Sequence, residues 1–82
     1  MKNYRVEMDL SIVIPQIRDY RIYEYNSEQP IIFVEAKDPD EACFKATHRL
    51  LQMILKQKDT AETRELCKEI KKDIVVTKVS TK

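Results

Sequence analysis

The side chains of this chain that could do chemistry are one histidine, two cysteines and two groups of carboxylates. The histidine, His48, lies in a segment with helical spacing, so its neighbours are the residues three and four positions away. These neighbours are Lys45, Phe44, Leu51 and Gln52. A general base needs a group that orients it, and none of these neighbours is a carboxylate. We therefore expect His48 to be a surface or interface residue and predict no catalytic residue here.

The two cysteines, Cys43 and Cys67, form no Cys-x-x-Cys motif and cannot complete a zinc site with a single histidine. Cys43 is close to a predicted helix N-terminus, which lowers a thiol pKa. Both cysteines nevertheless fall on predicted apolar faces, where cysteine behaves as a small hydrophobic residue. We expect core cysteines, no metal and no cofactor. Two thiols without a signal peptide also predict a reducing compartment, the cytoplasm, or the host cytoplasm if the protein is viral.

The carboxylates fall into a strand pair, Glu7 and Asp9, and a cluster of Asp38, Asp40 and Glu41. Paired carboxylates can perform acid–base chemistry or hold a hard cation. A solvated sheet face explains the first pair. A helix start explains the cluster, with Asp38 as N-cap, proline after it and Glu41 closing a capping box. We therefore expect a protein that is not an enzyme.

Glycine is absent from all 82 residues, although an average usage of ~7% would give about six. Phosphate-binding loops, dinucleotide fingerprints and nucleophile elbows all depend on glycine, so these classes are excluded. The net charge of +1 is not that of a strongly basic nucleic-acid binder. Apolar runs of three or four residues predict no membrane span. The length predicts one domain, residues 1–82.

Four strands are predicted from the hydrophobic pattern. Alternation with period two predicts strands over residues 4–14, 18–25 and 31–36, and a β-branched run predicts the last strand over residues 74–79. Both faces of the segment 31–36 are apolar. We expect this strand to be central in the sheet or covered on its outer face.

Two helices are predicted between the third and fourth strands. The first runs from Pro39 to about Lys58, and a second capping pattern at Asp59-Thr60-Ala61-Glu62 starts a shorter helix that ends near Lys72. No glycine or proline enforces the break, so one long helix over residues 39–72 is the alternative. The order β-β-β-α-α-β predicts an α+β fold with an antiparallel sheet of about four strands. The helices pack on one face, and the last strand lies beside the first.

The first helix has an apolar arc of more than roughly 200°, counted at 100° per residue. A sheet alone does not cover such an arc, so the second helix or a second subunit must pack there. We predict an interaction module that forms a homo-oligomer, with a dimer favoured, or binds another protein. The candidate interface residues are Phe33, Phe44, His48, Leu51 and Leu55. A charge at Leu51 or Phe33 is expected to dissociate the dimer and leave the fold intact.

The segment 18–25 supports a second hypothesis, because it interleaves tyrosines with arginines on a predicted strand. Exposed aromatic rings stack on bases while arginines hold phosphates in single-strand binders. The candidate nucleic-acid contacts are Arg18, Tyr20, Arg21, Tyr23 and Tyr25. Acidic neighbours dilute this charge, and tyrosine is also favoured in strands and protein interfaces. Nucleic acid is therefore the less favoured partner.

The strand Ile31–Glu35 followed by Ala36-Lys37-Asp38-Pro39-Asp40-Glu41-Ala42 resembles the strand-into-capped-helix step of small α+β modules, HicB-like antitoxin domains among them. Those domains carry glycines that this chain lacks, so their function is not carried over. In its size, charge and lack of glycine-loop chemistry, the whole chain resembles small uncharacterised proteins of tailed phages.

Overall fold

Three strands and two helices make up the described part of the chain, which is residues 1–17 and 29–81 of a computed structural model. They are β1 (Lys2–Asp9), β2 (Ile31–Ala36), α1 (Pro39–Gln57), α2 (Ala61–Lys71) and β3 (Val75–Thr81), with a short 3-10 helix (Ile14–Gln16) after β1. The fold is α+β with an antiparallel sheet, as predicted. The described sheet has three strands rather than about four, and the strand predicted over residues 18–25 lies outside the described residues.

The sheet has the strand order β2-β1-β3, with both pairings antiparallel. The last strand therefore lies beside the first, as predicted. Along β1 the side chains of Tyr4, Val6 and Met8 are buried on one face, whereas Arg5 and Glu7 on the other face are only partly covered. This alternation arises because successive side chains of a strand point to opposite faces, and it places the core on the face where α1 packs.

β1 ends at Asp9, five residues earlier than the predicted end at Ile14. The Asp9 Oδ1 atom accepts a hydrogen bond from the Ser11 backbone N–H at 2.8 Å. The N–H groups of Val13 and Ile14 then donate to the Leu10 carbonyl at 2.9 and 2.8 Å. The aspartate side chain thus begins a turn that competes with the sheet ladder, and the prediction of a continuous strand is wrong at this end.

The burial pattern after Asp9 follows the turn and the 3-10 helix instead of a strand. Leu10, Val13 and Ile17 are buried, at intervals of three and four residues, whereas Ile12 is 59% exposed. The predicted strand, with its period of two residues, placed Ile12 on the buried face. Ile12 is exposed because the burial pattern changes here from every second residue to every third or fourth residue.

β2 has the predicted bounds, Ile31–Ala36, and buries Ile32 and Ala36 against the helices. Phe33 lies on the opposite face, where it is 46% exposed. Within the described residues β2 pairs only with β1, so β1 rather than β2 is the central strand.

α1 begins with the predicted cap. The Asp38 Oδ1 atom accepts a hydrogen bond from the Glu41 N–H at 2.8 Å, and Glu41 Oε1 accepts from the Lys37 N–H at 3.3 Å. In a standard capping box the Glu41 side chain would bind the N–H of Asp38 itself; here it binds the N–H of Lys37, one residue earlier. Both bonds satisfy backbone donors at the start of the helix.

Two separate helices follow β2, so the alternative of one helix over residues 39–72 is wrong. Lys58 is extended, with φ −156° and ψ 96°, and ends α1. Thr60 then caps α2, because its Oγ1 atom accepts a hydrogen bond from the Thr63 N–H at 3.2 Å. Asp59 instead pairs with the guanidinium of Arg64 at 2.8 Å.

The two helices complete a core on one face of the sheet. From α1 the buried residues are Ala42, Ala46, Leu50, Leu51 and Ile54, and from α2 they are Thr63, Cys67 and Ile70. The sequence required either the second helix or a second subunit to cover the wide apolar arc of α1. In the structure, α2 packs on α1 and covers part of this arc.

β3 continues to Thr81, two residues beyond its predicted end. Its pairing with β1 contains an irregularity opposite Glu7 and Met8, where Thr77 has no direct partner in the register. The Thr77 Oγ1–H donates to the Glu7 carbonyl at 3.1 Å. A hydroxyl group of the strand itself thus supports the ladder at the bulge.

Candidate interaction surface

Two aromatic rings and a lysine form an exposed cluster on the helical layer, which we call the aromatic surface (Phe44, His48 and Lys71). Phe44 is 62% exposed and stacks on His48, with ring centroids 6.2 Å apart and an interplanar angle of 4°. The two rings meet because residues four positions apart are neighbours on a helix. The Lys71 Nζ atom of α2 lies 5.7 Å from the Phe44 ring centroid, a cation–π geometry.

His48 is held on both sides by neutral groups. Its ring stacks on Phe44, and its Nε2 atom lies 3.4 Å from Nε2 of Gln52. No carboxylate among the described residues bonds to its ring, so nothing orients it as a base. The imidazole thus offers a flat contact surface beside Phe44.

The other predicted interface residues do not join this surface. Leu51 is only 9% exposed, and its carbonyl oxygen lies 4.0 Å from the Cys67 Sγ atom of α2. Leu55 is half-buried at the border of the core. Phe33 lies on the face of the sheet opposite the core. Of the five residues, the structure brings together Phe44 and His48 and buries Leu51 in the core. Lys71, which the sequence did not indicate, joins Phe44 and His48.

A groove of about 380 Å³ between α1 and β2 contains two basic side chains. The Lys45 Nζ atom donates to the Glu35 carbonyl at 2.8 Å, and the Arg49 Nη1 atom donates to the Phe33 carbonyl at 3.1 Å. Lys45 is also paired with Glu41 at 3.2 Å. Both cations thus bind groups of the protein itself, and their effect is to cover this edge of β2.

The thiols are not activated. Burial raises the pKa of the Cys43 thiol, and the nearby charge of Asp40 raises it further. These effects outweigh a backbone hydrogen bond of Cys43 that lowers the pKa, so the thiol is not activated in the way that its place near the helix N-terminus predicted. Burial likewise raises the pKa of Cys67. Since the thiolate is the nucleophile, both cysteines are poor candidates for covalent chemistry.

The carboxylates serve local structure. Hydrogen bonds from Ser11, chiefly from its backbone, lower the pKa of Asp9, and Asp9 is the residue that turns the chain at the end of β1. A hydrogen bond from Lys45 is the main cause that lowers the pKa of Glu41. In residues 1–17 and 29–81 no three histidines, cysteines or carboxylates gather into a group that could hold a metal ion.

Glu41→Gln is expected to lower the stability of the protein at pH 7 and to have less effect in acid. Ionised Glu41 stabilises the fold, because its pKa is below the ordinary value of 4.5. This stabilisation is complete above that value and is lost as the pH falls through the lowered pKa. Urea unfolding of both proteins from pH 7 to about pH 3 measures the difference, which should shrink on acidification. Glu69→Gln, at an exposed position of α2, is the control. A constant difference across the pH range would contradict the assignment.

All five candidate nucleic-acid residues, Arg18, Tyr20, Arg21, Tyr23 and Tyr25, lie outside the described residues. Arg5, which could extend such a site on β1, is paired with Glu7 at 2.9 Å. This hypothesis stays a prediction.

None of the described helices is long and apolar enough to cross a membrane.

Comparisons with protein-family models, with curated proteins and with solved structures find no match for this chain.

Proposed function

We propose that this chain is a small non-catalytic interaction module that self-associates through the aromatic surface. The observation that carries the proposal is the exposure of Phe44, which is 62% accessible on α1 while smaller apolar residues of the same helix are fully buried. Burial of apolar surface drives protein association, and aromatic side chains are typical anchors of interfaces.

The surroundings of Phe44 fit a contact between two identical copies. A symmetric contact uses the same patch twice, so the patch must be complementary to itself. Asp40 lies one turn before Phe44 on α1 and is exposed, and Lys71 lies beside the ring. Both signs of charge are therefore present at the rim of the patch, around an apolar centre.

The pre-formed geometry reduces the entropy lost on association. The Phe44 ring already stacks on His48 and lies 5.7 Å from the Lys71 Nζ atom, so few side-chain rotations need to be frozen when a second copy binds. An ordered aromatic ring on a helix is thus a better anchor than a ring on a flexible loop.

Phe44→Glu is expected to lower the average mass of the protein in solution while leaving the fold intact. The substitution places a carboxylate at the centre of the patch, where association would have to desolvate it. Light scattering after size exclusion measures the mass at matched concentrations, and circular dichroism checks the fold.

Ile12→Glu is the matched control, because it also exchanges an exposed apolar side chain for glutamate and lies in the turn after β1. It should associate like the unmodified protein. Equal masses for the two variants at every concentration would overturn the aromatic surface as the contact.

A further inference from the structure

The two outer edges of the described sheet differ in how their backbone groups are covered. On β2, the carbonyls of Phe33 and Glu35 accept hydrogen bonds from Arg49 and Lys45 of α1. On β3, the only side-chain hydrogen bond of the described residues is that from Thr77 to Glu7 of β1, which points into the sheet. Within residues 1–17 and 29–81, β3 pairs only with β1.

The register shows which groups of β3 point outward. The Met8 N–H donates to the Pro30 carbonyl, so the even residues of β1 bond toward the β2 side. The odd residues of β1 therefore bond toward β3, where Arg5 lies opposite Ser80 and Glu7 opposite Lys78. Val79 and Thr81 alternate with these partners and direct their N–H and C=O groups away from β1.

The composition of β3 suits strand pairing. Its sequence, VVTKVST, is rich in β-branched residues, contains no proline and has one charged side chain, Lys78. All seven of its residues are exposed or half-buried, so none is enclosed in the core. Open edges of this type are templates for another strand unless charges, proline or a covering element protect them.

We infer that β3 pairs with β3 of a second copy in antiparallel orientation, so that the two sheets join into one. This contact is separate from the aromatic surface of the proposed function. Side chains of α1 bind outward carbonyls of β2, so β3 is the less protected of the two edges of the described sheet. The matching partner for such an edge is the same strand of a second copy. Taken by itself, this contact is symmetric and closes on a pair of copies.

The charges of β3 select the register of this pairing. With Val79 on the two-fold axis, Lys78 lies opposite Ser80 of the second copy, and the outward backbone groups of the two Val79 residues meet as a hydrogen-bonded pair. With Lys78 on the axis, the two ammonium groups would face each other, and like charges directly opposite destabilise a sheet.

The test compares proline and alanine at position 79 in the Phe44→Glu background, where the aromatic contact is disabled. Both substitutions remove the valine side chain, but only Val79→Pro removes the outward N–H. Sedimentation velocity should show that Phe44→Glu and Phe44→Glu/Val79→Ala still form pairs at high concentration. Phe44→Glu/Val79→Pro should pair about tenfold more weakly or not at all. Equal pairing of the alanine and proline variants, or no pairing of Phe44→Glu, would overturn the inference.

Amide hydrogen exchange of the Phe44→Glu protein provides a second measurement that needs no proline. The N–H groups of Val79 and Thr81 should exchange more slowly as the protein concentration rises, whereas that of Glu35 on the covered edge should not change. Exchange at Val79 and Thr81 that is independent of concentration would refute the pairing. Val79→Pro alone keeps the aromatic surface and separates the two contacts. Association that persists in Val79→Pro but is lost in Phe44→Glu/Val79→Pro belongs to the aromatic surface, and the proposed function then stands whatever the fate of the β3 contact.

Discussion

Leu50→Ala should lower the free energy of unfolding by about 2–5 kcal/mol, the usual cost of emptying a buried leucine site. Leu50 is fully buried in the middle of α1, within the cluster that joins the helix to the sheet. The loss combines the transfer energy of the removed methyl groups with the cavity that remains. Since small domains have a total stability of about 5–15 kcal/mol, this loss is a substantial fraction of the total.

Urea unfolding followed by circular dichroism measures this change. Phe44→Ala is the matched control, a truncation of a large apolar side chain on the same helix. Because Phe44 is mostly exposed, its truncation should change stability by only about 0.5 kcal/mol while weakening association. Similar losses of stability in the two variants would contradict the division of α1 into a core side and an interaction side.

Leu51→Asp is expected to destabilise the fold itself, by about 3–5 kcal/mol, rather than to separate folded copies. The side chain is only 9% exposed and belongs to the core cluster, where a carboxylate would lose most of its contact with water. The Leu51 carbonyl lies 4.0 Å from the Cys67 Sγ atom, so this turn of α1 lies against α2. The sequence alone predicted dissociation with an intact fold, since Leu51 lies on the same helical stripe as Phe44.

Thermal unfolding of Leu51→Asp and Leu55→Asp tests this assignment. Leu55 lies one turn further along α1 and is only half-buried, so its charged variant should lose clearly less stability. A Leu51→Asp protein as stable as the unmodified chain, with reduced mass in solution, would restore the interpretation from sequence and contradict the packing of α2 on this residue.

The parts of the fold that depend on local interactions were predictable from the sequence. The cap at Asp38, the bounds of β2 and the separation of α1 from α2 all follow from hydrogen bonds and periodicities within a few residues. The end of β1 was not predictable, because the alternation of apolar residues continues past Asp9. A single hydrogen bond from the Ser11 N–H to the Asp9 carboxylate turns the chain there.

The interaction surface was predictable only in part, because it depends on where α2 lies. Phe44 and Leu51 lie on one stripe of α1, and hydrophobic periodicity does not distinguish them. Leu51 is buried on the turn of α1 that meets Cys67 of α2, whereas Phe44 is exposed beside Lys71 at the end of α2. Their different burial therefore depends on the path of α2. Likewise, the sequence places Lys45 on a polar helix face but does not show that it reaches a carbonyl of β2.

The most direct test of self-association is sedimentation velocity of the unmodified protein over a wide range of concentrations. The proposed function predicts that the average mass rises with concentration from the 9.8 kDa of one chain to at least twice that value. Such a rise, reduced by Phe44→Glu and not by Ile12→Glu, would support the aromatic surface as the contact. A mass of 9.8 kDa throughout the range would contradict it.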